Sequence, residues 1–198
     1  MSNDSIVMEL FRRVQKLEEK VQFLEGKIES QESQEIEQEE CENQEQPQQV
    51  LITRANSRDY VADRLQQENP QFSIRKANRE EGSGLVLNDD KGNKLILKYY
   101  YSKSFLEYPS GWHTVDISDL DSNAFDIYCF NVSFKDEYFV FFFTKDELKS
   151  YVKGKKLNSG TKYYFYFHIE NGKIIEVRDD ENDVSKYYDR WELPNELV

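Results

Sequence analysis

The 198-residue chain reads as an α/β protein. It is expected to form a single layered domain with a central mixed sheet flanked by helices, preceded by an N-terminal parallel coiled-coil helix. Three observations predict this. Apolar residues in the first 28 positions follow an alternating three-four spacing, apolar runs of strand length surround two tight-turn sequences, and helix-start signals separate those runs. The boundaries fall at 1–30 for the coil, 31–50 for an acidic Gln/Glu-rich linker and 51–198 for the globular domain.

The coil rests on Val7, Leu10, Val14, Leu17, Val21, Leu24 and Ile28. Val7, Val14, Val21 and Ile28 occupy heptad position a, and the three leucines occupy d. An average period of 3.5 keeps such a stripe facing a partner helix once the pair supercoils left-handedly. β-Branched residues at a with Leu at d favour a parallel dimer. The flanking charges agree, because Arg13 and Lys20 at g meet Glu18 and Glu25 at e of the partner in the parallel arrangement only. An antiparallel pair would set like charges together. Self-association is therefore the first expected partnership.

The chain holds 26 Lys+Arg against 38 Asp+Glu, for a formal charge of −12. Residues 1–28 balance to zero, while residues 29–50 contain eight Glu and no base. Two-thirds of the net charge thus sits in the segment around SQESQEIEQEECENQEQPQQ, which has too little apolar content to offset the cost of ordering it. The globular part carries only −4, so its charge does not exclude a nucleic-acid ligand. No apolar run approaches the roughly 18–20 residues that cross a bilayer, and the first residues lack a signal-peptide core. No membrane partner and a cytoplasmic, reducing location are expected, and two cysteines, Cys41 and Cys129, make no disulfide framework.

In the globular part, residues 57–68 read as a helix capped by Asn56 or Ser57 and closed by Pro70. FSIRKA is a short strand, and GLVLNDDKGNKLILKYYY is a hairpin turning at Asp90–Gly92. FDIYCFNV (125–132) and YFVFFF (138–143) are two more strands. The second is apolar throughout, which predicts a place in the middle of the sheet. Thr144-Lys-Asp-Glu147 is a capping box opening a helix to about Val152. KYYFYFHI, Asn171–Gly172 and KIIEVRD form a type I′ hairpin signal. VSKYYDRWEL is expected to be a short helix laying Tyr187, Trp191 and Leu193 on the body.

Chemical candidates are few. His113 and His168 are the two histidines, expected to be structural and half-exposed on a strand, respectively. Cys129 reads as an inert core thiol and Asp126 as a structural acid at a strand start. No P-loop, GxGxxG or nucleophile elbow is present, and no metal site is expected from the residues themselves. Tyr99, Tyr100, Tyr101, Tyr164 and Tyr166 with Lys98, Lys103 and Lys162 combine rings and cations suited to stacking on bases. Packing against neighbouring helices is the alternative role for those rings.

The segments GLVLNDDKGNKLILKYYYSKS, GWHTV, FDIYCFNV, YFVFFFTKDEL and SKYYDRW follow an order of elements that resembles the PD-(D/E)XK restriction-endonuclease-like superfamily over about residues 55–192. The resemblance implies a site in which an acid on one hairpin strand and an acid-x-Lys on the next hold Mg²⁺ and orient a water. Here the acids are missing: Ser83, Gly84 and Leu85 stand where the first belongs, and Ile96-Leu97-Lys98 replaces the triplet. The resemblance therefore implies a degenerate member, catalytically inactive and without cofactor, binding nucleic acid through Lys98, Tyr100 and Lys103 or serving as an assembly subunit. It also implies a restriction or antiviral defence setting. The alternatives are a Mg²⁺-dependent DNA endonuclease using Lys98 with Glu81 and Asp63 (or the neighbouring Glu80), and a non-enzymatic adaptor in a larger protein complex.

The heptads set one measurable expectation. Full-length protein sediments as a dimer at tens of micromolar, and a truncation lacking residues 1–30 sediments as a weakened dimer or a monomer. A full-length monomer at that concentration removes the coil.

Overall fold

The computed structural model describes residues 52–82, 84–158 and 160–198. The heptad positions Val7 to Ile28, the linker and Cys41 lie outside the described residues.

The first helix, α1 (Arg54–Glu68), begins three residues earlier than its sequence signals suggest. Thr53 is extended and its hydroxyl accepts the Asn56 N–H at 3.1 Å, so Thr53 is the cap. Ser57 is instead buried inside the helix, hydrogen-bonded to the Tyr99 hydroxyl. At the other end the Asn69 side chain donates to the carbonyls of Leu65 (2.9 Å) and Trp191 (2.8 Å), tying the helix to the C-terminal segment.

Among the described residues nine strands follow: β1 (Phe72–Lys76), β2 (Gly84–Asp89), β3 (Lys94–Lys103), β4 (Ser110–Asp116), β5 (Ile127–Phe134), β6 (Glu137–Thr144), β7 (Lys162–Glu170), β8 (Lys173–Glu176) and β9 (Asn182–Asp183). They form two sheets rather than one. The five-stranded sheet has order β1-β2-β3-β5-β6 and is mixed, since β3 and β5 run parallel while its other pairs are antiparallel. The four-stranded sheet, β4-β7-β8-β9, is antiparallel. The sheets are accompanied by the short helices α2 (Ile117–Asp121) and α3 (Lys145–Val152).

Strand alternation divides the interior in two. One face of the mixed sheet, with Leu97, Tyr99, Ile127, Cys129, Val140 and Phe142, packs on α1 and Trp191. The opposite face, with Tyr128, Phe130, Phe141 and Phe143, packs on the second sheet through Phe165 and Phe167. The seam is aromatic: Phe141 stacks on Phe167 with centroids 4.4 Å apart, and Phe130 lies 5.2 Å from Phe165. Gly111 allows β4 to approach β5, because a Cβ there would lie 2.3 Å from the Val132 side chain. A single sheet was the expectation because strand patterns carry no record of which strands pair.

The apolar strand β6 lies at the edge of its sheet, not the middle. It is nonetheless buried on both faces, and the C-terminal segment covers its open edge. Phe141 pairs with Tyr188, and the Asp189 N–H donates to the Val140 carbonyl at 2.9 Å. That role prevents the expected C-terminal helix, since Tyr188 must be extended and Asp189 takes φ 57°. Two 3₁₀ turns, Ser185–Tyr187 and Leu193–Glu196, replace it, and Tyr187, Trp191 and Leu193 are buried as expected.

The other local signals match. Thr144 and Glu147 form the reciprocal capping box, at 3.1 and 2.8 Å, and Glu147 also holds Arg190. Asn171 and Gly172 both take positive φ, as a type I′ turn requires. Among the described residues no helix is long and apolar enough to cross a membrane.

A buried ionic cluster joins the end of α3 to the second sheet. Glu176 is fully buried and accepts four hydrogen bonds: from Lys155 Nζ (2.7 Å), the Tyr151 hydroxyl (3.0 Å), and the Tyr166 and Arg178 N–H groups (3.0 Å each). Lys155 also lies 3.2 Å from Asp179. Removing one member leaves the other charge buried without its counterion. Lys155→Met is expected to lower unfolding stability by about 3–5 kcal/mol, read from urea denaturation at neutral pH.

Candidate functional site

Alternation along β3 points Lys98 and Tyr100 to the same face of the mixed sheet, towards α2. There Asp119 receives both. Lys98 Nζ lies 3.1 Å from each carboxylate oxygen, and the Tyr100 hydroxyl donates to Oδ2 at 3.0 Å. The Tyr128 hydroxyl donates to the Asp119 carbonyl at 2.7 Å, and the Phe125 ring lies under the Lys98 ammonium at 4.6 Å. Burial, and then the Asp119 charge, push the Tyr100 and Tyr128 hydroxyls above the ordinary phenol range. The Lys98 and Asp119 charges offset one another in a local ion pair, and both tyrosines stay neutral.

The other hydrolytic candidates stand apart from it. Glu81 is gripped by Arg75 through both oxygens and by Lys94, each at 2.7 Å, and it accepts the Asn78 N–H. The Arg75 hydrogen bond foremost holds its carboxyl well below the usual carboxylate range. Asp63 is exposed on α1, which covers the opposite face of the mixed sheet from Lys98. Glu80 is exposed in the same loop as Glu81, its N–H bonded to the Asn78 side chain. Lys103 is exposed at the end of β3, on the face opposite to Lys98 and Tyr100. The structure thus brings Lys98 and Tyr100 together on Asp119 and leaves Glu81, Asp63 and Lys103 elsewhere.

Mg²⁺ requires several oxygen ligands in near-octahedral geometry. Among the described residues no group of three or more Asp, Glu, His or Cys side chains is placed to hold a metal. A single carboxylate already paired with a lysine does not fit the ion.

Asp126 is structural, its carboxylate accepting the Ile96 N–H at 2.8 Å. Cys129 is buried and its thiol is pushed up by desolvation, as expected of an inert core cysteine. His113 lies in the aromatic seam, 5.4 Å from the Phe130 ring and 5.6 Å from Phe167, with both ring nitrogens buried and unpartnered. Burial lowers its pKa to about 3.

The outer face of the second sheet carries the feature that the sequence did not make plain. Outward residues of β4 and β7 lie side by side in register: Trp112 opposite Tyr166, Thr114 opposite Tyr164, and Ser110 opposite His168. Trp112 is 44% exposed and lies 5.3 Å from Tyr164 and 5.5 Å from Tyr166. His168, half-exposed as expected, meets Tyr166 at 4.3 Å and Tyr108 at 5.3 Å. The Arg178 guanidinium stands 5.1 Å over Trp112 and 5.5 Å from Tyr164. Tyr164 and Tyr166 lie on β7 of the second sheet, whereas Tyr99, Tyr100 and Tyr101 lie on β3 of the mixed sheet. Trp112 and Arg178 are 66 positions apart in the chain, and only the pairing of β4 with β7 and of β7 with β8 brings them together. A concavity of about 540 Å³ beside Tyr60, Tyr138 and Trp191 is bordered by three acids, Asp136, Glu137 and Asp189, against one base, Arg64, which is paired with Glu68 at 3.0 Å, and it is poorly suited to an anion.

The fold defines a layered mixed α/β domain with two sheets. No family profile and no curated protein matches the chain. Among solved structures it is similar to a bacterial homing endonuclease, at 16% identity over 70% of this chain and 92% of that one, with a TM-score of 0.36. A likeness at that score assigns neither family nor activity.

The buried histidine gives an acid-stability prediction. With the folded pKa near 3 and an ordinary value of 6.5, the unfolded chain binds a proton that the folded chain refuses as pH falls below 6.5. Stability is therefore lost on acidification, by about 2 kcal/mol between pH 7 and pH 5 from this group. His113→Leu is expected to remove that slope, measured as urea midpoints at the two pH values.

Proposed function

We propose that the chain is a homodimeric nucleic-acid-binding or assembly subunit that does not hydrolyse its ligand. The observation that supports it best is the outer face of the second sheet, where a guanidinium stands over exposed Trp112 and adjacent tyrosines. Rings with a cation above them suit bases and phosphates together. The geometry around Lys98 favours a non-hydrolytic role. An ammonium paired with Asp119, with Glu81 bound to two cations elsewhere, assembles no water-activating centre. The homodimer is the reading of the heptads, and the defence setting rests on the sequence resemblance alone.

A protein-binding adaptor is the second reading, favoured by the β3–β4 loop, where Phe105 is 89% exposed and Leu106 is exposed beside it. The two readings separate by salt. A nucleic-acid subunit binds DNA or RNA with an affinity that falls as salt rises, because binding releases condensed cations from the phosphates and added salt makes that release less favourable. An adaptor binds neither. Supercoiled plasmid is expected to remain intact with Mg²⁺ or Mn²⁺. Cleavage that Lys98→Ala abolishes would instead establish the active endonuclease.

A further inference from the structure

We infer that the outer face of the β4-β7-β8 sheet is a binding site for single-stranded nucleic acid, with bases stacking on Trp112, Tyr164 and Tyr166 and phosphates met by Arg178. This rests on the nucleic-acid reading above and specifies its ligand and its contact residues.

The first support is spacing. Outward side chains along a strand recur every two residues, about 6.8 Å apart. That is about twice the 3.4 Å rise per nucleotide in a duplex strand. A strand whose successive bases each meet a ring along β7 must be extended and unstacked. Paired bases do not offer their faces in this way, so duplex is excluded by the same geometry. The breadth of the sheet agrees, since the major groove admits a helix or a two-stranded ribbon rather than a broad sheet face.

Charge is the second support. Between Asp116, opposite Lys162 at one end, and Glu170, opposite Lys173 at the other, the outward residues of β4 and β7 include no carboxylate. The cation among the rings is Arg178, which is exposed. Its guanidinium lies beside the Trp112 and Tyr164 rings, 5.1 and 5.5 Å from their centres, and is a planar multiple N–H donor that matches a phosphate. A neutral sugar surface would be served by carboxylates or amides beside the rings, and a guanidinium favours an anionic ligand instead.

The third support is preorganisation. One oxygen of the buried Glu176 carboxylate receives both the Tyr166 and the Arg178 N–H groups, fixing the backbone of a ring and of the cation from beneath. Rings already held in place lose little freedom when a base settles on them. Glu176 is a positioning residue here and touches no ligand.

The test uses the full chain with short fluorescein-labelled oligothymidine and oligouridine, a duplex of matched length, and a neutral xylo-oligosaccharide. Single strands are expected to bind more tightly than duplex and to quench Trp112 fluorescence. Trp112→Ala and Arg178→Gln should each weaken anisotropy-detected binding by at least about tenfold. Both positions are on the surface, so thermal midpoints serve as the folding control. Trp112→Phe is expected to keep most of the affinity while losing the quench. Equal affinity for duplex and single strand, or binding unchanged in Trp112→Ala and Arg178→Gln, overturns this site and leaves the nucleic-acid reading standing. Absence of binding to every nucleic acid overturns both. Saturable binding of the xylo-oligosaccharide without oligonucleotide binding overturns both in favour of a sugar ligand.

Discussion

The Glu176 carboxylate is the interaction on which the second sheet depends. A charge with no exposure persists only when counterion and hydrogen bonds replace its water, and here Lys155, Tyr151 and two backbone N–H groups do so. Because the donors come from α3 and the segment after it, from β7 and from the turn after β8, the carboxylate links three parts of the chain. Tyr151 and Lys155 are themselves bedded on Phe165, so the polar cluster and the aromatic seam share a wall. The residues it aligns from below are those that display rings and a guanidinium above.

The aromatic seam imposes a second constraint. Phe130, Phe141, Phe165 and Phe167 fill the space between the sheets, and their planar rings pack in stacked and tilted pairs. His113 occupies a place among them that an apolar residue would fill without an orphaned donor. Burial disfavours its charged form, which makes the seam sensitive to acid. On the far side of the mixed sheet, α1 and Trp191 cover a more aliphatic interior. The two interiors meet different needs: one supports a helix, the other a second sheet.

Lys98 illustrates how a suggestive residue acquires its meaning from neighbours. Its position on a hairpin strand matched a nuclease-like order of elements, and Tyr100 beside it matched a basic-aromatic surface. In the fold both turn inward to Asp119, a residue of a five-residue helix that carried no motif. Glu81 is similarly absorbed by Arg75 and Lys94. Meanwhile Trp112, in the GWHTV segment, and Arg178, in the KIIEVRD segment, become neighbours across the face of a sheet.

By itself the sequence determined what depends on contacts a few residues apart. The capping box at Thr144–Glu147, the Asn171–Gly172 turn, the alternation of KYYFYFHI and the burial of Tyr187, Trp191 and Leu193 were all legible in it. Each follows from local hydrogen-bond geometry or from a period of two. Tertiary structure alone decided the division into two sheets, the edge position of β6, the extended C-terminal segment that covers it, and the pairing of Trp112 with Tyr166. Strand partners and register are set by contacts between residues far apart in the chain. An apolar strand looks the same in the middle of a sheet as at an edge sealed by another segment. The candidate site lies on that side of the division, because a surface made from two strands and a following turn exists only once their register is chosen.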